Sequence, residues 1–319
     1  MRSAVVAALI VSTATALAAC NAGGGGTVTP ASGNVAPSAF RSIDATGPSI
    51  AKSGLKELVV SNYGQSGSGN LVVLNTAYSQ TASIYAGLNE SDGVWIDAKG
   101  RIYAANLGGS VTEYAANPSP SGAQPIFTYA TPGTSPVVVT TDAKSNVYVG
   151  NGDSFPGSVY EYKQGSDTPL YSCVSSPGLV IGVAVDSKGD VFVANVSGPS
   201  ASAIYEYPKG LKGCNAAQLP VPVNYVGGIA LDKNDKLVIA EQTVGDVLIV
   251  PYPYSNVETT LLGFSGPYQL ALDKKNDLLF VTEGSDVAVC QYPSGTRETT
   301  LGASQGVYDP TGVAAYPER

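Results

Sequence analysis

Five aspartates set the frame for this chain. Asp97, Asp142, Asp186, Asp232 and Asp273 follow one another at intervals of 45, 44, 46 and 41 residues. Each closes one apolar run and opens a turn that leads into a second. The units read GVWIDAKGRIYAAN (93–106), VVVTTDAKSNVYVGN (137–151), GVAVDSKGDVFVAN (182–195), GIALDKNDKLVIAE (228–241) and QLALDKKNDLLFVTE (269–283). A fixed period of this size belongs to propellers or solenoids.

Within a period there are four strand-like runs, for example GVWID, RIYAAN, SVTEYA and PIFTYA between residues 93 and 130. Four short strands per unit make the blade of a propeller. The first run, strand A, is almost wholly apolar, as expected of an inner strand covered on both faces. The recurring Asp suits a turn, where its carboxylate accepts hydrogen bonds from the following backbone. The ends of the chain complete the count. KELVVSNYG (56–64), NLVVLNT (70–76) and TASIYAG (81–87) supply strands B, C and D without an A, and TGVAAYPER (311–319) supplies an A with nothing after it. The expectation is an all-β, six-bladed β-propeller with four-stranded blades. It is closed by pairing of residues 312–316 with 56–62, which removes the open edges.

Composition agrees. Thirty-seven Gly and 21 Pro are spread through the chain, 19 Tyr stand against one Trp, and no amphipathic helical stretch follows residue 20. A net charge of −8 excludes a nucleic-acid partner, because phosphate neutralisation needs a basic footprint. The absence of His removes Ser-His-Asp and Cys-His catalysis and His-ligated zinc together.

The motif GVAVDSKGDVFVAN resembles the NHL repeat, which runs Gly-x-Ala-x-Asp, a turn, then Ile/Val-Tyr-Val-Ala-Asp/Asn. The resemblance covers residues 56–316 and implies a six-bladed propeller without implying a chemistry. SMP-30/gluconolactonase enzymes share that architecture and hold a divalent metal at the channel with Glu, Asn and Asp. The positions matching their ligands here are Asp92, Pro136, Ile181, Gly227, Gln269 and Thr311. Only Asp92 is a metal ligand, so a metal-dependent lactonase or hydrolase is the alternative reading and a binding or scaffolding module the preferred one. No residue is assigned a catalytic role.

The first twenty residues, MRSAVVAALIVSTATALAAC, have one Arg, an apolar run and small residues before a Cys. This is the order of a secretory signal, and Leu17-Ala18-Ala19-Cys20 resembles the bacterial lipobox. The resemblance implies cleavage after residue 19 and lipidation of Cys20, hence an exported protein held at the membrane by its lipid. Residues 20–54 read as a Gly/Ser/Pro tether and 55–319 as the propeller. Asn21 points to the periplasmic face of an outer membrane or the cell surface.

Three further groups of residues are candidates. Asn62, Asn106, Asn151, Asn195, Glu241 and Glu283 occupy the ends of the six B strands. Glu241 and Glu283 with the amide oxygens have the chemistry of a Ca²⁺ site, and the plainer alternative is strand-end capping. Cys173 and Cys214 fall in neighbouring blades and are candidates for a disulfide, with Cys290 left as a buried small hydrophobe. The strand C runs VTEY, VYEY and IYEY suit either sugar stacking or packing between blades, the second preferred.

Charge sorts by face. The D–A and B–C loops hold Glu90, Asp92, Asp153, Glu241, Asp246, Glu283, Asp286 and Asp309 and no Lys or Arg. The A–B and C–D turns hold the basic residues from Lys99 to Arg297. The expectation is one acidic face with nothing to balance it, suited to a cation, a polyol or a basic protein partner.

Overall fold

The computed structural model describes residues 54–317 except 65–68, 121, 132–133, 153–155, 176–177 and 199–200. The expected leader, Cys20 and the tether to residue 53 lie outside the described residues, as does Asp153.

Six four-stranded antiparallel sheets form the blades of a propeller. The first blade draws on both ends of the chain. Pro310–Tyr316 lies innermost and pairs antiparallel with Glu57–Asn62, in a register that sets Val313 opposite Val60 and Ala315 opposite Leu58. Asn70–Leu74 and Gln80–Ile84 complete that sheet. The inner strands of the other blades are Ser91–Ile96, Pro136–Thr141, Leu179–Val185, Val226–Leu231 and Leu270–Leu272.

The recurring Asp works as a turn device. Asp97 Oδ1 accepts the amides of Lys99 and Arg101, each at 2.9 Å. Asp142, Asp186 and Asp232 each hold the amides two and four residues on in the same way. Asp273 holds those of Lys275, Asp277 and Leu278. Each turn then needs one residue in the left-handed region. Gly100 and Gly189 fill it at φ 81° and 88°, Ser145, Asp235 and Asn276 at φ 57–66°. Gly meets the demand at no steric cost, and Asn and Asp tolerate it better than most residues.

The core lies between blades. Leu58, Val60 and Val72 of the first blade pack on Ala271, Phe280 and Val287 of the sixth. On their other side Val59, Leu71 and Val73 pack on Ile96, Ile102 and Ala104 of the second. Tyr114, Tyr162 and Tyr207, the last residues of VTEY, VYEY and IYEY, are all buried. Tyr114 Oη donates to Ala86 O and Tyr162 Oη to Ala130 O, in each case at the end of the preceding blade. These tyrosines pack between blades and offer no sugar-stacking platform. Each such burial contributes roughly 1.5–3 kcal/mol before the hydroxyl is counted.

Cys173, in the outer strand of the third blade, is joined to Cys214, in the C–D loop of the fourth, with S–S 2.11 Å and Cα–Cα 5.4 Å. Cys290 is free and buried.

Candidate functional site

The six residues expected at the ends of the B strands are buried, and each hydrogen-bonds to nearby loop or strand groups. Asn62 Nδ2 donates to Gly306 O at 2.8 Å, and its Oδ1 accepts the Tyr308 amide at 3.1 Å. Asn106 Oδ1 accepts the Asn89 amide at 3.1 Å. Asn195 exchanges hydrogen bonds with Ser175 Oγ and O at 2.8 and 3.0 Å. Glu241 accepts the Asn224 amide at 3.0 Å and the Tyr225 amide at 3.4 Å. Glu283 accepts the Ser265 amide at 2.7 Å. In four blades, then, the B-strand end fastens the D–A loop that leads into its own sheet, while Asn195 fastens the last residue of the third blade's outer strand. Asn151 Nδ2 turns to Ser158 Oγ at 3.2 Å, and its Oδ1 has no partner among the described residues. These side chains face their own loops rather than a shared centre. Among the described residues no three His, Cys, Asp or Glu side chains stand close enough to hold a metal ion together.

Arg297 corrects the expectation of an unbalanced acidic face. It begins the outer strand of the sixth blade, yet its guanidinium reaches back past Cys290 to grip Glu283. Nη1 lies 2.7 Å from Oε2 and Nη2 2.9 Å from Oε1. The sequence places Arg297 with the opposite turns, but a side chain this long spans several strand residues. Burial alone would raise the Glu283 pKa; Arg297 outweighs it and holds the carboxyl below the usual range. Glu241 has backbone amides and the Asn224 side chain but, among the described residues, no cation, and burial leaves its pKa raised. Asp246 and Asp286 are part-exposed at the starts of strand C, and Asp286 Oδ1 has no partner among the described residues.

The centre of the propeller is set by glycine. Gly93, Gly182, Gly228 and Gly312 each stand four residues before the end of the inner A-strand motif, and at this level the inner strands crowd one another. A Cβ on Gly93 would lie 2.5 Å from Val137 O, one on Gly312 2.7 Å from Asp92 O, and one on Gly228 2.6 Å from Gln269 Oε1. The sixth blade carries Gln269 at this level, and its Nε2 donates to Ile181 O of the fourth blade at 3.1 Å. At this level neighbouring inner strands therefore crowd one another, and one amide side chain reaches from the sixth blade to the fourth.

A register irregularity accompanies this crowding in every inner strand except the sixth. Counting five residues back from the closing position, the layer of Asp92 holds Thr311, Asp92, Val137, Ile181, Gly227 and Tyr268. Val137 and Tyr268 thus replace Pro136 and Gln269 in the matched set, each of which stood one residue off this count.

Asp92 stands out within that layer. Its side chain is fully buried, Oδ2 accepts a hydrogen bond from Tyr268 Oη at 3.1 Å, and Oδ1 has no partner. Its main-chain oxygen is held by Ser61 Oγ and Thr311 Oγ1. Burial, relieved in part by Tyr268 and reinforced by Asp309, pushes the carboxyl pKa up to about 7. Tyr268 touches it, Asp92 acts on Tyr63, and Tyr225 lies close enough to act on Tyr268. Burial and then Glu90, Asp92 and Asp309 push the Tyr63 hydroxyl up to about 12, and burial and then Asp92 raise Tyr268 well above its usual value. Asp92 was legible as a candidate. The tyrosines were not: Tyr225 and Tyr268 directly precede inner-strand segments, and only the closed ring shows them meeting.

No protein-family model and no curated protein sequence matches the chain. Solved structures match in number. A chain of a nidogen/laminin complex is 13% identical with a TM-score of 0.63, covering 81% of this chain and 97% of its own length. A Bacteroides caccae protein of unknown function is 11% identical with a TM-score of 0.64, covering 83% and 100%. At these identities the likeness is one of fold alone.

Proposed function

We propose that this chain is an exported, lipid-anchored propeller that serves as a binding module, and that the D–A/B–C face around Asp92 is its binding surface. One observation carries the reading. Glu90, Asp92 and Asp309 gather around tyrosines at the centre of that face with no arginine or lysine among the groups that act on them. An acidic field of this kind speeds encounter with a basic partner and makes binding salt-sensitive. The lactonase alternative is less favoured, since a single carboxylate supplies the layer where a metal would need several. The NHL-type repeat is compatible with a platform of this sort.

Export and lipidation rest on the signal-like leader and Cys20, and the Cys173–Cys214 bridge suits an oxidising compartment. A Cys20→Ser variant should move from the membrane to the soluble fraction; retention on the membrane would remove the lipid from the account. For the surface, wild-type domain and a Glu90→Gln/Asp309→Asn variant are to be exposed to envelope extract of the native host. Species captured at low salt and released at high salt by the wild type should be lost from the variant. Identical capture by both would move the binding surface elsewhere.

A further inference from the structure

The centre of the D–A face combines features that are costly unless something answers them. Asp92 is fully buried with one carboxylate oxygen unpartnered. An unpaired buried acceptor loses its hydration without compensation, and an unpaired buried charge loses more. Elsewhere this protein answers its buried carboxylates. Glu283 has Arg297 and a backbone amide, Glu113 has Arg101, Tyr129 and Gln164, and Glu241 has two backbone amides. Asp92 has one phenol.

The surroundings say what could complete it. Asp309 and Glu90 add negative potential, and among the described residues no Lys or Arg offsets it. The missing group is therefore a cation. A bare metal ion suits the site poorly, because no three carboxylates stand close enough to share one. What does surround Asp92 is aromatic. Tyr268 touches it, and Tyr63 and Tyr225 lie close enough to Tyr268 to act on its hydroxyl. Tyrosine faces stabilise organic cations through their ring quadrupoles, and a carboxylate among such rings selects an ammonium group. Next to this layer the crowded glycines and the Gln269 bond to the fourth blade narrow the space between inner strands, so the approach to Asp92 is from the D–A side. Tyr268 is part-exposed, whereas Asp92, which its hydroxyl touches, is fully buried.

We propose that the Asp92–Tyr268 centre is a site for the ammonium group of an amine-bearing ligand, taken up by the free Asp92 oxygen and flanked by Tyr63, Tyr225 and Tyr268. The inference rests on the D–A face being the binding surface and names the chemistry that surface reads. Tyr268 keeps its hydrogen bond to Oδ2 while the ammonium takes Oδ1, and the remainder of the ligand runs out past the tyrosines toward Glu90 and Asp309.

The probe is n-butylammonium chloride, followed by ligand-observed NMR and calorimetry, with n-butanol and CaCl₂ as controls on the same domain. The ammonium should bind at millimolar levels or better, and n-butanol should not. Asp92→Asn is nearly isosteric, and its melting transition confirms that it folds. It should lower the affinity at least tenfold. The pH profile separates a direct charge partner from a structural role. The groups facing Asp92 are Tyr268, Tyr63, Asp309 and Glu90. With Asp92 titrating near 7 and the tyrosines higher, affinity should rise about tenfold from pH 6 to pH 8 and be nearly flat in Asp92→Asn. Equal binding of n-butanol, saturation by CaCl₂ without the ammonium, or unchanged affinity in Asp92→Asn each overturns the proposal. Should the Glu90→Gln/Asp309→Asn variant lose envelope partners while n-butylammonium fails to bind, the ammonium site falls and the binding face stands.

Discussion

Glu283 and Asp92 are both buried carboxylates on the D–A/B–C side of the propeller, and they have opposite fortunes. Glu283 receives a bidentate arginine and a backbone amide, and its pKa is lowered. Asp92 receives one phenol and keeps a bare oxygen, and its pKa is pushed up to about 7. Both interrupt an otherwise apolar packing. The first is spent on fastening a loop. The second stays unsatisfied at the point where the inner strands meet. The contrast teaches that burial of a carboxylate is by itself no guide to function in a repeat protein; what matters is whether its charge is answered.

The largest test removes the geometry that makes the contrast. Truncation before Pro310 deletes the inner strand of the first blade, and with it Thr311 and Gly312, which hold and crowd the Asp92 backbone. The shortened domain should lose its cooperative thermal transition and bind a hydrophobic dye, since the edge of Glu57–Asn62 is exposed. A melt like that of the parent would show that closure contributes little.

Charge removal at the two carboxylates should then have opposite signs. Asp92 has a folded pKa near 7 against an ordinary 3.8, so its folded form binds the proton more tightly. Stability from this group is full below about pH 4 and is lost as pH rises toward 7. Asp92→Asn should therefore raise stability at pH 8 by at most roughly 4 kcal/mol, with little change at pH 4. Urea melts across that range check it, and a loss of stability at pH 8 would mean that the ionised carboxylate is satisfied in the folded protein.

Glu283 works the other way. Its folded pKa lies below the ordinary 4.5, so its contribution is present above that pH and lost as pH falls through the folded value. Glu283→Gln leaves Arg297 without its counter-charge and should cost about 2 kcal/mol at pH 7, discounted for the partial exposure of the arginine. A neutral result at both pH 7 and pH 3 would demote the pair to decoration.

The smallest effect sharpens the Asp92 side. Tyr268→Phe removes the one side-chain hydrogen bond Asp92 makes among the described residues, which should cost about 1 kcal/mol at pH 8 and less at pH 5, where the carboxyl is protonated. The midpoint of the pH-dependent stability change should move upward in the same variant. An unmoved midpoint would mean that Tyr268 does not act on the carboxylate.

Much of the architecture was legible because it is local and repeated. The aspartate turns need only the residue two and four positions on, and the left-handed residue in each turn is written as Gly, Asn, Asp or Ser. Blade closure was legible because each end carried a partial blade. The site was legible in one residue. Asp92 could be singled out as the sole carboxylate at its level, whereas Pro136 and Gln269 were matched one residue off the count from the closing Asp. Arg297 was assigned to the wrong face because its backbone position, rather than its reach, was read.

By itself the sequence determined the repeat, the strand pattern, the turns and the identity of the strand that closes the ring, for these follow from interactions between residues close in the chain or at a fixed period. Only the tertiary structure decided that Glu283 is neutralised by a residue 14 positions on and that Asp92 meets Tyr268 across 176 positions. It also decided that four glycines let neighbouring inner strands crowd together and that Gln269 reaches the fourth blade beside them. The reason is physical. Whether a buried charge is satisfied depends on which side chains converge on it in space, and in a propeller the convergence at the centre involves residues from opposite ends of the chain.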